Sequence, residues 1–173
     1  MKLGHEFLHR FALALAMLAV TAIPARAQSA FFREVVLKPK ASQADGLRVV
    51  SILLGQRAGD LKSDAEFLRT QDVLPKNWAP DDKAVLSKGW MAYLLVRALD
   101  LDGGAGKRLF GWNKRRAFQE LVYLQIMPGK GGEHAKLTGP EVITLLDRSS
   151  AHKERERARK SAADGDKPGR TKP

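Results

Sequence analysis

Leu86 to Arg97, LSKGWMAYLLVR, is the stretch on which the fold turns. Ser87 has the side chain of a helix N-cap, which accepts a hydrogen bond from a free amide in the first turn. The residues after it are apolar nearly all round: Trp90, Met91, Ala92, Tyr93, Leu94, Leu95 and Val96. A helix apolar on every face belongs in the interior, so Lys88 to Leu99 is expected as a buried central helix. The same layout returns at Leu137 to Arg148, LTGPEVITLLDR, 51 residues on. Upstream of each lies a second matching pair, Leu68 to Pro75 (LRTQDVLP) and Leu121 to Pro128 (LVYLQIMP), 53 residues apart. Each unit therefore reads as a helix, a V-L-P or I-M-P stop, a loop, a Ser or Thr cap, and an apolar helix ending in Arg. One such helix pair cannot close its apolar face, whereas stacked pairs can.

Outward from these units the pattern stays helical. Leu47, Val50 and Leu54, widened by Val49 and Leu53, recur at three- and four-residue spacing between Ser42 and Arg57. Ser42 with Asp45 marks the start, and Gly59 a stop. Ser63 and Glu66 have capping-box spacing and predict a helix to about Asp72. Asn113 predicts a cap for Lys114 to Ile126, with Phe118, Leu121 and Val122 inward. Thr138 with Glu141 forms a further box, with Pro140 tolerated in the first turn. The sum is an all-α protein, a bundle of about five helices over residues 42–148 with repeats at about 65–99 and 117–148. Residues 28–41 are expected as an extended lead-in, where Phe31, Val35 and Leu37 suggest a weak strand ended by Pro39. Residues 149–173 lose their apolar content and are expected as a disordered basic tail, with an exposed helix allowed over Lys153 to Ala162.

Residues 1–27 have the layout of a cleavable signal. Lys2, His5, His9 and Arg10 make a basic start, Phe11 to Ile23 is an apolar run, and Ala25-Arg26-Ala27 is an A-x-A site. The run is shorter than the roughly 20 residues that span a bilayer, so no transmembrane segment is expected after processing. Export to the periplasm or cell surface follows. The net charge is +11, and the signal holds three basic residues against one acid, which leaves +9 on the processed chain. Export turns that charge away from nucleic acid and toward anionic envelope polymers, lipid headgroups or envelope proteins. The chain has no cysteine, which removes disulfides, thiolate metal sites and cysteine nucleophiles.

The units resemble the S-layer homology domain, a helical module of bacterial surface proteins. In that family a G-I-I-like turn is followed by a loop and a T-R-A-E start to a helix ending in L-x-R-A-L. Trp78-Ala79 and Val96-Arg97-Ala98-Leu99 fit in the first copy, and Ile126-Met127, Leu137-Thr138 and Glu141 in the second. The resemblance covers about Ala65 to Arg148 and implies an envelope module that binds wall polymer. The family's arginine, which helps to hold that polymer, aligns with Lys88 in one copy and Gly139 in the other. Family members often carry three modules, and two are counted here.

No motif names a reaction. Gly103 to Lys107 fails the P-loop pattern, with Leu101 and Arg108 at required glycine and Ser/Thr positions. Asp100 and Asp102 begin a calcium-loop pattern that is not completed in register. His134 and His152, the histidines beyond the signal, stand at no ligand spacing, so no metal and no cofactor are expected. There is no G-x-S-x-G elbow. Carboxylate pairs such as Asp81 with Asp82, or Glu120 with Glu141, leave a wall-active hydrolase as the least favoured class. The expectation is a non-catalytic protein that binds an anionic polymer or an envelope partner at its loop–helix junctions. A structural or assembly protein acting through protein contacts alone is the alternative. Trp78, Trp90 and Trp112 lie at such junctions, and indoles stack on sugar faces. Lys107, Arg108, Lys114, Arg115 and Arg116 form the densest basic patch. Lys88 and Trp90 in one unit, with Arg115 and Arg116 in the next, are the expected ligand contacts.

Overall fold

A computed structural model describes residues 29–57, 59–101 and 111–165. The expected signal at 1–27, the 103–107 stretch with Arg108, and residues 166–173 lie outside the described residues. Among those described, the chain is all-helical. Helix α1 covers residues 29–36, followed by α2 (Gln43–Leu53), α3 (Leu61–Thr70), α4 (Lys88–Ala98), α5 (Lys114–Tyr123) and α6 (Gly139–Gly165).

Three of these helices, α2, α4 and α6, start from caps of one kind. Ser42 and Asp45 close a capping box, Ser87 accepts from the Trp90 amide, and the Thr138 hydroxyl accepts from the Glu141 amide. The residues just before these caps hold one another in a closed ring. The Ala41 amide donates to the Leu137 carbonyl (2.8 Å), Leu137 to Leu86 (3.0 Å), and Leu86 to Ala41 (2.9 Å). A second ring lies outside it. The first helical residues Gln43, Lys88 and Gly139 donate to the carbonyls of Ala84, Ala135 and Lys38 at 2.8 to 2.9 Å. Backbone amides at a helix start have no partner within the helix, so each unit's free donors are satisfied by its neighbour.

The rings define a third unit that the repeat did not show. Residues 29–36 are helical, not the expected weak strand, and α1 with α2 makes unit A. Units B (α3, α4) and C (α5, α6) are the two seen in sequence. Phe31 and Val35 are one helical turn apart and pack inward, with Val35 wholly buried, while Leu37 is left exposed. A strand there would have no ladder partner among the described residues. The outer helix of each unit packs on the inner helix of the one before it, α3 on α2 and α5 on α4. Helix α1 closes the circle over the start of α6, where a Cβ on Gly139 would lie 1.7 Å from the Val35 carbonyl oxygen. That contact explains the glycine at position 139.

Helix ends repeat as faithfully as helix starts. The six-to-one bond of a Schellman motif closes α2 (Gln56 amide to Ser51 carbonyl), α3 (Val73 to Leu68), α4 (Leu101 to Val96) and α5 (Ile126 to Leu121). The left-handed residue it requires is Gly55 in α2 but Asp72, Asp100 and Gln125 in the others. Helix α2 thus stops at Leu53, well before Gly59. Helix α3 opens three residues earlier than the Ser63–Glu66 box implied. Asp60 is its cap, and Ser63 returns the bond as the third helical residue. The arginines ending each repeat then do the same task. Arg97 donates to the Asp72 carbonyl (2.7 Å) and Arg148 to the Gln125 carbonyl (3.3 Å), each the left-handed residue of its own unit's outer helix.

The core fills the space between the inner helices. Leu47, Val50, Met91, Leu94, Leu95, Val142 and Leu145 are buried there. One buried ion pair joins units A and B. Arg48 donates to Asp64 at 2.9 Å and also to the Arg57 carbonyl. Burial pushes the Asp64 carboxyl above its ordinary value, and the Arg48 charge offsets only part of that. Helix α6 has no Schellman stop near Arg148. It runs to Gly165, so residues 149–165 extend the helix through most of the expected tail, including the segment at 153–162. Ser149 is buried and Lys153 donates to the Leu53 carbonyl, which ties the first extra turns to α2.

Candidate functional site

The expected contacts gather where unit B meets unit C. The loop after α3 turns at Pro75, whose carbonyl accepts from the Trp78 amide, and Arg69 holds the Trp78 carbonyl at 3.1 Å. Trp78 then lies flat on Trp90, with ring centroids 4.1 Å apart and planes 8° from parallel. Tyr93, one turn along α4, meets Trp90 edge-on at 6.1 Å, and Arg97 follows 5.7 Å from the Tyr93 ring. The Lys114 ammonium sits 3.9 Å from the Trp90 centroid. A parallel ring at 4.1 Å leaves no room for a cation on the same side. Trp90 is therefore covered on one face by Trp78 and on the other by Lys114, an attractive arrangement for a cation. It is a partly exposed wedge between units, and neither of its faces is open to stack on a sugar.

Lys88 is also placed otherwise than expected. It is 4% exposed, and its ammonium donates to the Lys130 carbonyl at 2.9 Å with Glu141 Oε1 at 3.6 Å. Its charge is used inside the fold, linking α4 to unit C, so it is corrected from ligand contact to inter-unit tie. Sequence alone hid this because a lysine at a helix start reads as solvated. Glu141 gains from the arrangement. Burial alone would raise its carboxyl, but the amide and hydroxyl of Thr138 and the nearby Lys88 hold it below the usual glutamate value.

Arg115 and Arg116 are on the surface at the start of α5, Arg115 exposed and Arg116 partly so. Asn113 caps the helix by accepting from the Arg116 amide at 2.9 Å, as expected. With Lys114 they place three cations in a first turn that has no acid. Positive charge there opposes the helix dipole. Lys114 is the residue that sequence reasoning undervalued, because its link to Trp90 crosses between units. Trp112 is partly buried beside Gln71, Asp72, Arg97 and Asp100 around a depression of about 340 Å³.

Among the described residues no three His, Asp or Glu side chains are grouped to hold a metal ion, and no helix is long and apolar enough to cross a membrane. Comparison with protein-family models, curated proteins and solved structures finds no match.

Proposed function

We propose that the protein is an exported, non-catalytic cell-envelope component that binds an anionic polymer or surface partner through units like those of the S-layer homology domain. The observation that carries this is the closed ring of three cap-preceding residues, Ala41, Leu86 and Leu137, which gives the chain three quasi-equivalent units. Such a ring presents junctions of one geometry bearing different side chains, a scaffold suited to surface recognition and not to a single reaction. Support for an anionic partner comes from Lys114, Arg115 and Arg116, held together despite their cost to the helix. Support for export is the 1–27 segment.

Two experiments test the parts separately. N-terminal sequencing of the protein recovered from cells should begin at Gln28, and an intact Met1 rejects export by this route. Purified protein should co-sediment with isolated envelope material in a saturable way that persists to about 0.5 M salt, where exposed charges are strongly screened. Loss of sedimentation by about 0.2 M rejects a shaped site.

A second reading, an assembly protein working through protein contacts alone, is favoured by one feature. Helix α6 continues as a basic arm carrying Arg155, Arg157, Arg159 and Lys160. Removing residues 154–173 separates the two. Polymer binding by the ring survives the deletion, whereas arm docking does not.

A further inference from the structure

Unit B carries side chains at one corner that the shared scaffold does not need. In units B and C the inner-helix arginine binds the main-chain carbonyl of the left-handed residue, Arg97 that of Asp72 and Arg148 that of Gln125. At the spacings that relate the two units, Gln71 answers to Leu124, Asp72 to Gln125 and Asp100 to Ala151. The carbonyl bond is common to both, so the amide and the two carboxylates of unit B are additions to it. They border a depression of about 340 Å³ lined by Gln71, Asp72, Val96, Arg97, Asp100 and Trp112. Val96 is wholly buried and gives it an apolar floor, whereas Gln71, Asp72 and Asp100 are exposed at its edge. Trp112 is the indole that the fold leaves unstacked. Trp78 and Lys114 cover the two faces of Trp90, but among the described residues Trp112 meets no ring and no cation.

We propose that this depression binds a neutral pyranose unit of a glycan, with one C–H face of the sugar on Trp112 and its hydroxyls shared among Asp72, Asp100, Gln71 and Arg97. Size fits one ring, since the volume lies at the small end of the roughly 300–1,000 Å³ of small-molecule sites. Polarity fits as well. A pyranose is apolar on its C–H faces and polar around its edge, and here an indole stands beside a rim of planar polar groups. Charge excludes the other ligand classes. The Asp72 carboxylate and the Arg97 guanidinium hold each other at 2.7 Å, and Asp100 stands across from them. An anion would meet two carboxylates, and a cation would meet the guanidinium. A hydroxyl both donates and accepts, so it can give to a carboxylate and take from Arg97 or Gln71. Arg97 spends one N–H each on the Asp72 carbonyl, the Asp72 carboxylate and the Tyr93 hydroxyl, which leaves donors over. The site is separate from the cations that open α5 and goes beyond the anionic-partner reading.

The test uses purified full-chain protein with maltotetraose, cellotetraose, chitotetraose and mannotetraose as neutral probes and polygalacturonate as the acidic comparator. Binding is followed by saturation-transfer NMR, calorimetry and indole fluorescence. At least one neutral probe should bind saturably below about 10 mM and change the emission. Trp112→Ala should abolish both signals. Trp112 also packs against the core, so Asp100→Gly keeps the test readable if that variant fails to fold. Asp100 is left-handed at φ 50°, a conformation glycine adopts freely, so Asp100→Gly should leave the thermal midpoint unchanged or higher. It should nevertheless weaken binding at least about tenfold, the scale of one lost charged hydrogen bond. Gln125→Gly, the same backbone relief in unit C, should leave binding within about twofold. Absence of saturable binding by all four neutral probes, equal loss in the two glycine variants, or Asp100-dependent binding of polygalacturonate as tight as the best neutral probe overturns the proposal.

Discussion

Units B and C are built on the same hydrogen bonds and differ in what those bonds leave free. Both outer helices end on a non-glycine left-handed residue, Asp72 or Gln125, and both inner helices send an arginine back to that residue's carbonyl. The shared parts are backbone groups that must be paired when buried. The divergent parts are side chains: Asp60 against Asn113, Lys62 against Arg115, Asp64 against Ala117. Where unit B meets α2 with a buried ion pair, unit C has an alanine at the corresponding place and meets α4 through apolar contact. The comparison teaches that the scaffold is fixed by main-chain satisfaction, which frees each corner to acquire its own chemistry.

The comparison breaks first at the buried pair. Asp64→Ala leaves Arg48 charged and unpaired in the interior, and should cost about 3–5 kcal/mol by urea denaturation. Ala117→Ser at the counterpart position should cost about 1–3 kcal/mol, for one buried hydroxyl. Next come the glycines in the first turns of the two inner helices. Gly139→Ala drives a methyl into the Val35 carbonyl at 1.7 Å and should cost about 3 kcal/mol, whereas Gly89→Ala meets the Glu133 carbonyl at 3.0 Å and should cost about 1 kcal/mol. The arginines should rank likewise. Arg97→Ala, which loses the Asp72 carbonyl and carboxylate at 2.7 Å each, should cost about 1 kcal/mol. Arg148→Ala, with its single 3.3 Å bond, should cost about 0.5 kcal/mol or less.

The smallest effects have the most informative signs. Arg115→Glu replaces a cation at a helix start with an acid and should stabilise the fold by about 0.3–1 kcal/mol while it weakens binding of the proposed anionic partner. A gain in stability with a loss of binding is the signature of a residue kept for function. The capping boxes sharpen the comparison through pH. Glu141 ionises below its usual value in the fold, so its contribution is complete above about 4.5 and fades as pH falls through the lowered value. Glu141→Gln should flatten the acid limb of a stability–pH curve. Trp90, at the matching position in unit B, does not titrate, and that unit's lowered carboxyl is instead the Asp60 cap of its outer helix.

Much of the fold was legible because its signals are local. The caps at Ser42, Ser87, Asn113 and Thr138 all hold helix starts, and the all-round apolar run of LSKGWMAYLLVR does place α4 in the core. Unit A was missed because α1 is short and its face is carried by Phe31 and Val35 alone, a spacing that also allows a strand. The site was half legible. Arg115 and Arg116 are on the surface as expected, but Lys88 is turned inward by Lys130 and Glu141, and Trp90 is closed between Trp78 and Lys114.

By itself the sequence determined most of the helices, four of their caps, the two related units and the excess of positive charge, since each depends on residues within a few positions or on composition. Only the tertiary structure decided that the units number three and close into a ring, and that Lys88 and Trp90 are engaged inside the fold. Those outcomes depend on main-chain groups and ion partners brought together from distant parts of the chain, and no local pattern encodes which carbonyl a given amide or ammonium will reach.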